Sequence, residues 1–562
     1  MDDYRKKIMK FLNFVKKDKF LFLAGLIGCL FFIVNLPGIN YGLPMHLISD
    51  EESLIGGAMK MIELKTLIPA QYPAQFDFLY YPPLIPYILL ISFLPVIILK
   101  FFVFKFSLFT LQSYFALDQS LIWLSARFMT LVFSTLILAV TYNLGKQIFS
   151  KRIAFFGVLL LALSFFQNNL AHWSKHWVYA TFFAYLAFLM TIYLISGKKE
   201  FKYLPGIAAG LGVGASYISA LGPLFAGVYL LITKNIFGRF FKILILNCLI
   251  AVVLGGGLAM LNYPEIFKIF GPKDGTIQNP KDFFGLIAYF LYALRVLFNQ
   301  ETVILICAVL AILFSKKYRE LLLFIGSFCL IYIVILYLFF HIELRYVYFI
   351  LPALALGAAA FLDYLAERIV SKNFLALAIC LILIWPFAVV LRYQFLINAP
   401  DTRQLAQNWI IENISDETFA VDSPFINLLR SAQSIAQSQD YGRINARERY
   451  FLANYDKLNL DLYSVNLYEY QNLHFWENSA DLEKLRHYLS RSQPKYFVYE
   501  HSSLYAPSEA DKYLMSRGEL AVSFSSSDDG QYYDINGNYF LFNSILFKID
   551  RLGPKIEIFR LF

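Results

Sequence analysis

Three consecutive carboxylates, Asp50, Glu51 and Glu52, stand between Ser49 and Ser53 just after the first apolar run of the chain. Carboxylates so placed can take a proton from an attacking hydroxyl, and charges next to lipid are costly to keep. They can equally form the acidic first turn of a solvated helix capped by Ser49 or Asp50, in which case Glu52 points to solvent. Cationic candidates lie far along the chain. Lys175 sits between His172 and His176, and Arg345 follows His341 and Glu343 and precedes Tyr346. Cations at a membrane boundary can hold a phosphate, Arg in bidentate fashion. The alternatives are an interfacial belt with Trp173 and Trp177 and a snorkelling Arg345 paired with Glu343. Arg127, near the start of another apolar run, either reaches the same place or pairs with Asp118.

Other signals are weaker. His172 and His176 would share one face of a helix, a spacing used for zinc, but no Glu accompanies them as in the metalloprotease helix. A divalent metal is compatible with the chain but not indicated, and no cofactor is implied. Gly255-Gly256-Gly257 lies inside an apolar run with no Lys-Ser/Thr after it, so it reads as close helix packing and not as a nucleotide-phosphate loop. The five cysteines all fall in apolar runs and read as small buried hydrophobes.

The elements that must position these groups are membrane helices. The chain is 58% apolar and only 16% charged, against about 25% charged in soluble proteins. The excess forms runs at 20–36, 128–144, 153–170, 243–261, 321–340 and 375–391, each near the ~20 residues that span a bilayer. Net charge is +15 over residues 1–398 and −6 over 399–562. The positive excess sits in short loops, where it orients a membrane protein; no basic face is left for nucleic acid. Lysines and Arg5 before residue 20 predict a cytoplasmic N-terminus, and residues 38–83 then form an outer loop. Basic clusters at 146–152, 198–202, 234–242, 316–319 and 368–372 predict cytoplasmic turns. The expected architecture is a polytopic α-helical membrane domain, residues 1–398, with about 11–13 transmembrane helices, 84–119 and 284–301 being ambiguous. Residues 399–562 form an extracytoplasmic α/β domain. Its expected strands are 419–422, 496–500, 520–524, 544–549 and 556–560, and its expected helices 402–413 and 482–490.

The order of motifs resembles the GT-C superfamily of integral membrane glycosyltransferases, nearest to the protein O-mannosyltransferases and lipid A aminoarabinose transferases. The resemblance rests on the Asp50-Glu51 pair after the first span, the re-entry Tyr80-Tyr81-Pro82-Pro83-Leu84, and Ala126-Arg127-Phe128 followed by Gly145-Lys146. It extends to His341-Ile342-Glu343-Leu344-Arg345-Tyr346 before Pro352, and to Asp401-Thr402-Arg403 with Trp409. Two positions depart from the pattern. Residues 171–177 contain no carboxylate where many relatives carry one, and Ser216 stands beside Tyr217 where a Lys is common.

Membership implies transfer of a sugar from a polyprenyl-phosphate donor to a glycan, lipid or protein acceptor at the outer face of a cell (cytoplasmic or inner) membrane. It implies Asp50 as the base, with Glu51 holding the acceptor or tuning Asp50. Arg345, Lys175, His176 and His172 would contact the donor phosphate, with Glu52, Tyr81, Arg127, His341, Glu343 and Tyr346 in support. The competing readings are a transporter or flippase of lipid-linked sugars, which would place ionisable groups at mid-membrane, and a non-catalytic envelope assembly subunit.

Overall fold

The computed structural model describes residues 18–562 apart from 77, 80, 233–240, 263–282, 340–343, 424–425, 427, 440–445, 459–463, 470–489, 491–492, 502–506, 508 and 536–541. The chain divides into two compact units.

The first unit comprises the residues up to Ile39, Asp50–Pro95 and Ile122–Leu391. In chain order the helices are α1 (Lys19–Asn35), α2 (Glu51–Glu63), α3 (Leu84–Val103), α4 (Leu108–Leu117), α5 (Ser120–Ile148), α6 (Lys151–Ala162), α7 (Phe165–Ala171) and α8 (His176–Ile195). They continue with α9 (Leu204–Ala215), α10 (Gly222–Ile232), α11 (Phe241–Met260), α12 (Phe283–Phe314), α13 (Arg319–Phe339), α14 (Leu351–Arg368) and α15 (Lys372–Ile397). Of these, α4 and the last turns of α3 and α15 fall in the second unit.

Among the described residues nine helices are long and apolar enough to cross a membrane: α1, α3, α5, α8 and α11–α15. The pair α6–α7, bent by 62°, makes a tenth candidate, and three apolar helices are shorter. The protein is therefore a multi-span membrane protein. The stretch 204–233, whose alternating topology calls for a tight pair of short spans, holds the two short helices α9 and α10, and 84–119, which either dips in and out or crosses twice, holds α3 and the short α4. The ambiguous stretch 284–301 resolves into the first part of α12, a 32-residue helix broken at Glu301 (φ −132°, ψ 42°).

One end of this bundle is fastened by ion pairs among residues read as basic turns. Asp18 meets Lys151 at 2.7 Å and Lys146 at 3.6 Å, Arg152 meets Asp363 at 3.1 Å, and Lys317 meets Glu367 at 2.8 Å. Antiparallel α1 and α5 carry the acidic loop and Arg127 to the opposite end. Cysteine departs from expectation: Cys307 and Cys329 are buried, but Cys29, Cys248 and Cys380 are exposed on the helix surfaces, as apolar side chains on lipid-facing helices can be.

The second unit comprises Asn40–Ser49, Val96–Leu121 and Arg392–Phe562. It contains α16 (Thr402–Asn413), α17 (Ala432–Gln439), α18 (Ala446–Asn454) and α19 (Glu509–Ser516). Its strands are β1 (Thr418–Asp422), β2 (Asn466–Glu469), β3 (Tyr496–Glu500), β4 (Gly518–Phe524) and β5 (Ile556–Leu561). The sheet order is β2-β1-β3-β5-β4, with β1 parallel to β2 and β3, and β5 antiparallel to β3 and β4. Ala420, Phe497 and Tyr499 on one face pack against Leu514 of α19. Residues 544–549, expected as a strand, instead contain a 3-10 helix at Asn543–Phe547. Apolar alternation over so few residues does not separate the two. The helix expected at 482–490 lies, but for Ser490, outside the described residues.

The cap of α16 is the unit's electrostatic centre. Asp401 accepts from the backbone N–H of Arg403, and Gln404 accepts from the N–H of Asp401, a reciprocal cap. The Arg403 guanidinium, wholly buried, donates to Asp401 at 2.8 and 3.0 Å and lies 3.6 Å from both Glu500 and Asp534. Burial pushes the Glu500 carboxyl up to about 7, against the opposing pull of Arg403. An acid whose folded value is raised binds more protons folded than unfolded, so its contribution is full below the unfolded value near 4.5 and is lost as pH rises through 7. Wild-type protein should therefore melt progressively earlier between pH 4.5 and 7.5. Glu500→Gln should flatten that slope, read as the change of melting temperature with pH.

Candidate active site

Helix α2 begins at Glu51, and Asp50 caps it in the left-handed region (φ 68°). Asp is one of the few residues that adopt this conformation at modest cost. Its carboxylate makes no capping bond to the helix. It projects instead, 47% exposed, with one oxygen 3.8 Å from the ammonium of Lys175, which is only 2% exposed.

Glu51 points the other way and is fully buried. Arg127 of α5 donates to it through Nη2 at 2.7 Å and through Nε at 3.0 Å, and the backbone N–H of Ser174 donates at 2.7 Å. The remaining arm of Arg127, Nη1, donates to the carbonyl of Ile39 at 2.9 Å, so one guanidinium closes the base of the loop between residues 39 and 51. Trp173 lies beneath it, with the ring centre 5.3 Å from Arg127 Cζ. Asp50-Glu51 thus meets Ser174-Lys175 as two adjacent contacts, one buried and one open. Of the two roles considered for Arg127, reaching the acidic loop or pairing with Asp118, the structure shows the first, with Glu51 as the partner that the sequence did not point to. Glu52 is exposed on the first turn of α2; its carboxyl is pushed upward by the protein mass around it and then by the Glu51 charge.

The segment 173–175 owes its position to α7, every residue of which is buried. Ser164 Oγ and the N–H of Phe166 donate to Glu301 at the break in α12, at 2.6 and 2.8 Å. Gln167 donates to Ser134 of α5 at 2.7 Å and accepts from Tyr348 at 2.8 Å. Asn35 of α1 donates to Asn168 at 2.9 Å, and Trp173 Nε1 donates to Asn169 at 2.8 Å. Sequence reasoning missed this scaffold. The available signal was Gln167-Asn168-Asn169 and Glu301 inside apolar runs, where polar groups are expensive unless used.

The two histidines do not share a helix face. His172 closes α7, residues 173–175 turn, and His176 opens α8, so the spacing argument for a metal loses its premise. His172 is fully buried, and that burial pushes its imidazole down to about 3, against the cationic form that a phosphate contact would use. His176 stacks on Tyr81 (ring centres 3.9 Å), Trp177 lies 4.1 Å from His176, and Tyr346 meets Trp177 edge-on at 4.2 Å. Asn262 fixes the Tyr81 backbone by donating to its carbonyl at 2.7 Å. Residue 345 lies in the 3-10 helix Leu344–Ile350; the Arg345 side chain, His341 and Glu343 lie outside the described residues. The structure therefore brings together Asp50, Glu51, Glu52, Arg127, Lys175, His176, Tyr81 and Tyr346, and sets His172 behind them.

Among family models, the one described as the Alg9-like mannosyltransferase family matches residues 275–417, about a quarter of the chain. The chain is also similar to solved structures. ArnT from Cupriavidus metallidurans bound to undecaprenyl phosphate is 14% identical, covering 70% of this chain and 73% of that one with a TM-score of 0.44. AglB, the oligosaccharyltransferase of Archaeoglobus fulgidus, in complex with an inhibitory peptide and a dolichol-phosphate, is 13% identical (93% and 75% covered, TM-score 0.46). Arabinofuranosyltransferase AftD from Mycobacteria is 12% identical (96% and 40% covered, TM-score 0.45). Curated protein sequences give no match.

Proposed function

We propose that the protein transfers a sugar from a polyprenyl-phosphate donor to an acceptor hydroxyl at the extracytoplasmic face, with inversion at the anomeric carbon. The acceptor oxygen attacks that carbon, its bond to the phosphate oxygen breaks, and the hydroxyl proton passes to Asp50. The observation that carries this reading is the split between the two acids. Glu51 is saturated by buried donors, while its neighbour Asp50 is presented, uncapped, beside a nearly buried lysine. Lys175 supplies positive charge where the departing phosphate gains its negative charge. Arg345 is the second candidate for that role, supported by its neighbour Tyr346, which packs on Trp177 two residues beyond Lys175.

The test is purified protein in lipid nanodiscs supplied with polyprenyl-phosphate sugars, read by release of polyprenyl phosphate. Lys175→Met should lower kcat/KM by about 10²-fold, the usual cost of removing one transition-state donor, and Lys175→Arg should retain part of it. Movement of lipid-linked sugar between leaflets with no cleavage of any donor would establish a transporter instead.

A further inference from the structure

Residues 40–49, which end at the proposed base, fold with the C-terminal sheet domain as part of one compact unit. Their side chains are largely buried: Tyr41, Leu43, Met45, His46, Leu47 and Ile48 are all below 9% exposed. Tyr41 donates through its hydroxyl to Asp401 Oδ2, and Gln404 donates to the carbonyl of Leu43 at 3.3 Å. Asp401 is itself gripped by Arg403, and Thr402 donates to the carbonyl of Pro554 at 2.6 Å. The fit leaves no spare room. A side chain at Gly553 (φ 105°) would collide with Thr402 and Asp401, and one at Gly42 (φ 68°) with Leu47.

Three left-handed residues, Gly42, His46 and Asp50, fall within nine positions. Such backbone persists only where surrounding contacts over-determine it. At the start of the segment those contacts come from the cap of α16, through Tyr41 and the carbonyl of Leu43.

We propose that the C-terminal domain is a positioning device for the base. Tyr41 and Asp401, with Arg403 behind them, hold segment 40–49 so that Asp50 leaves it in the left-handed conformation that aims its carboxylate away from α2. The proposal rests on Asp50 as the base; Tyr41, Asp401 and Arg403 act through it as positioning residues. A structural brace alone would move stability, whereas a positioning residue moves turnover and the mobility of one segment.

The experiment uses the full chain in nanodiscs and two variants, Tyr41→Phe and Asp401→Asn, with hydrogen exchange of residues 40–50 and steady-state kinetics as readouts. Tyr41→Phe removes one hydroxyl and keeps the ring, so it remains informative should Asp401→Asn fail to fold. The expected result is at least 10-fold faster exchange confined to residues 40–50, and kcat lowered about 10- to 100-fold with donor KM within 3-fold of wild type. Unchanged exchange in that segment, or faster exchange with kcat intact, overturns the proposal. Absence of transfer by wild-type protein would be the failure of the proposed reaction, and exchange in 40–50 would then decide on the clamp alone.

Discussion

Asp50→Asn should yield a folded protein whose sugar transfer is slower by about 10²- to 10⁴-fold, the range over which a positioned general base contributes. The substitution is nearly isosteric. Asn tolerates the left-handed region as readily as Asp, so the φ of 68° at position 50 carries no new strain. No capping bond is forfeited, because the wild-type carboxylate makes none to α2. What is lost is the capacity to accept a proton, together with the charge facing Lys175. The drop should appear in kcat with donor KM little changed, and the acid limb of the pH–rate profile should vanish. Melting in detergent should stay within a degree or two of wild type. Full activity in this variant would remove Asp50 from the chemistry and make Glu52, exposed two residues further on, the acid to examine.

The second large effect falls on stability. Glu51 and Arg127 are both 0% exposed and joined at 2.7 Å, and breaking a buried pair from one side costs about 3–5 kcal/mol because the partner charge stays buried. Glu51→Gln and Arg127→Met should each lower the melting temperature sharply. The double variant should recover part of the loss, since neither charge then remains. Ser174 N–H and the Ile39 carbonyl also lose partners when Glu51 and Arg127 are replaced, so transfer should fall too. The distinguishing outcome is thermal. A catalytic Glu51 would give an inactive Gln variant of normal stability, whereas an anchoring Glu51 gives an unstable one.

The acid triplet was legible in the sequence because charge is conspicuous beside long apolar runs, and Lys175 because it interrupts one. The division of labour within the triplet was not. Glu51 is buried by an arginine 76 positions later, and no local pattern announces so distant a pairing. Apolar run length located α1, α11 and α13 within a few residues, since a membrane span is set by length and apolarity. Periodicity failed where length is short: the 3-10 turn at Asn543–Phe547, and β2, whose four residues carry too little alternation. His172 and His176 misled for a related reason. Four residues apart suggests one helix face only when the helix is continuous, and here the chain breaks between them.

The partners of α7 have a consequence for biogenesis. Asn35 and Ser134 precede it in the chain, but Glu301 and Tyr348 follow it by 135 and 181 residues respectively. A ribosome that has just released α7 has not yet made the carboxylate and phenol that satisfy it. The nascent bundle must shelter Ser164, Gln167 and their backbone amides in the insertion machinery or with water until translation passes residue 348. Assembly of the end that carries the candidate site is thus a late event in synthesis, although Asp50, Arg127 and Lys175 are translated early.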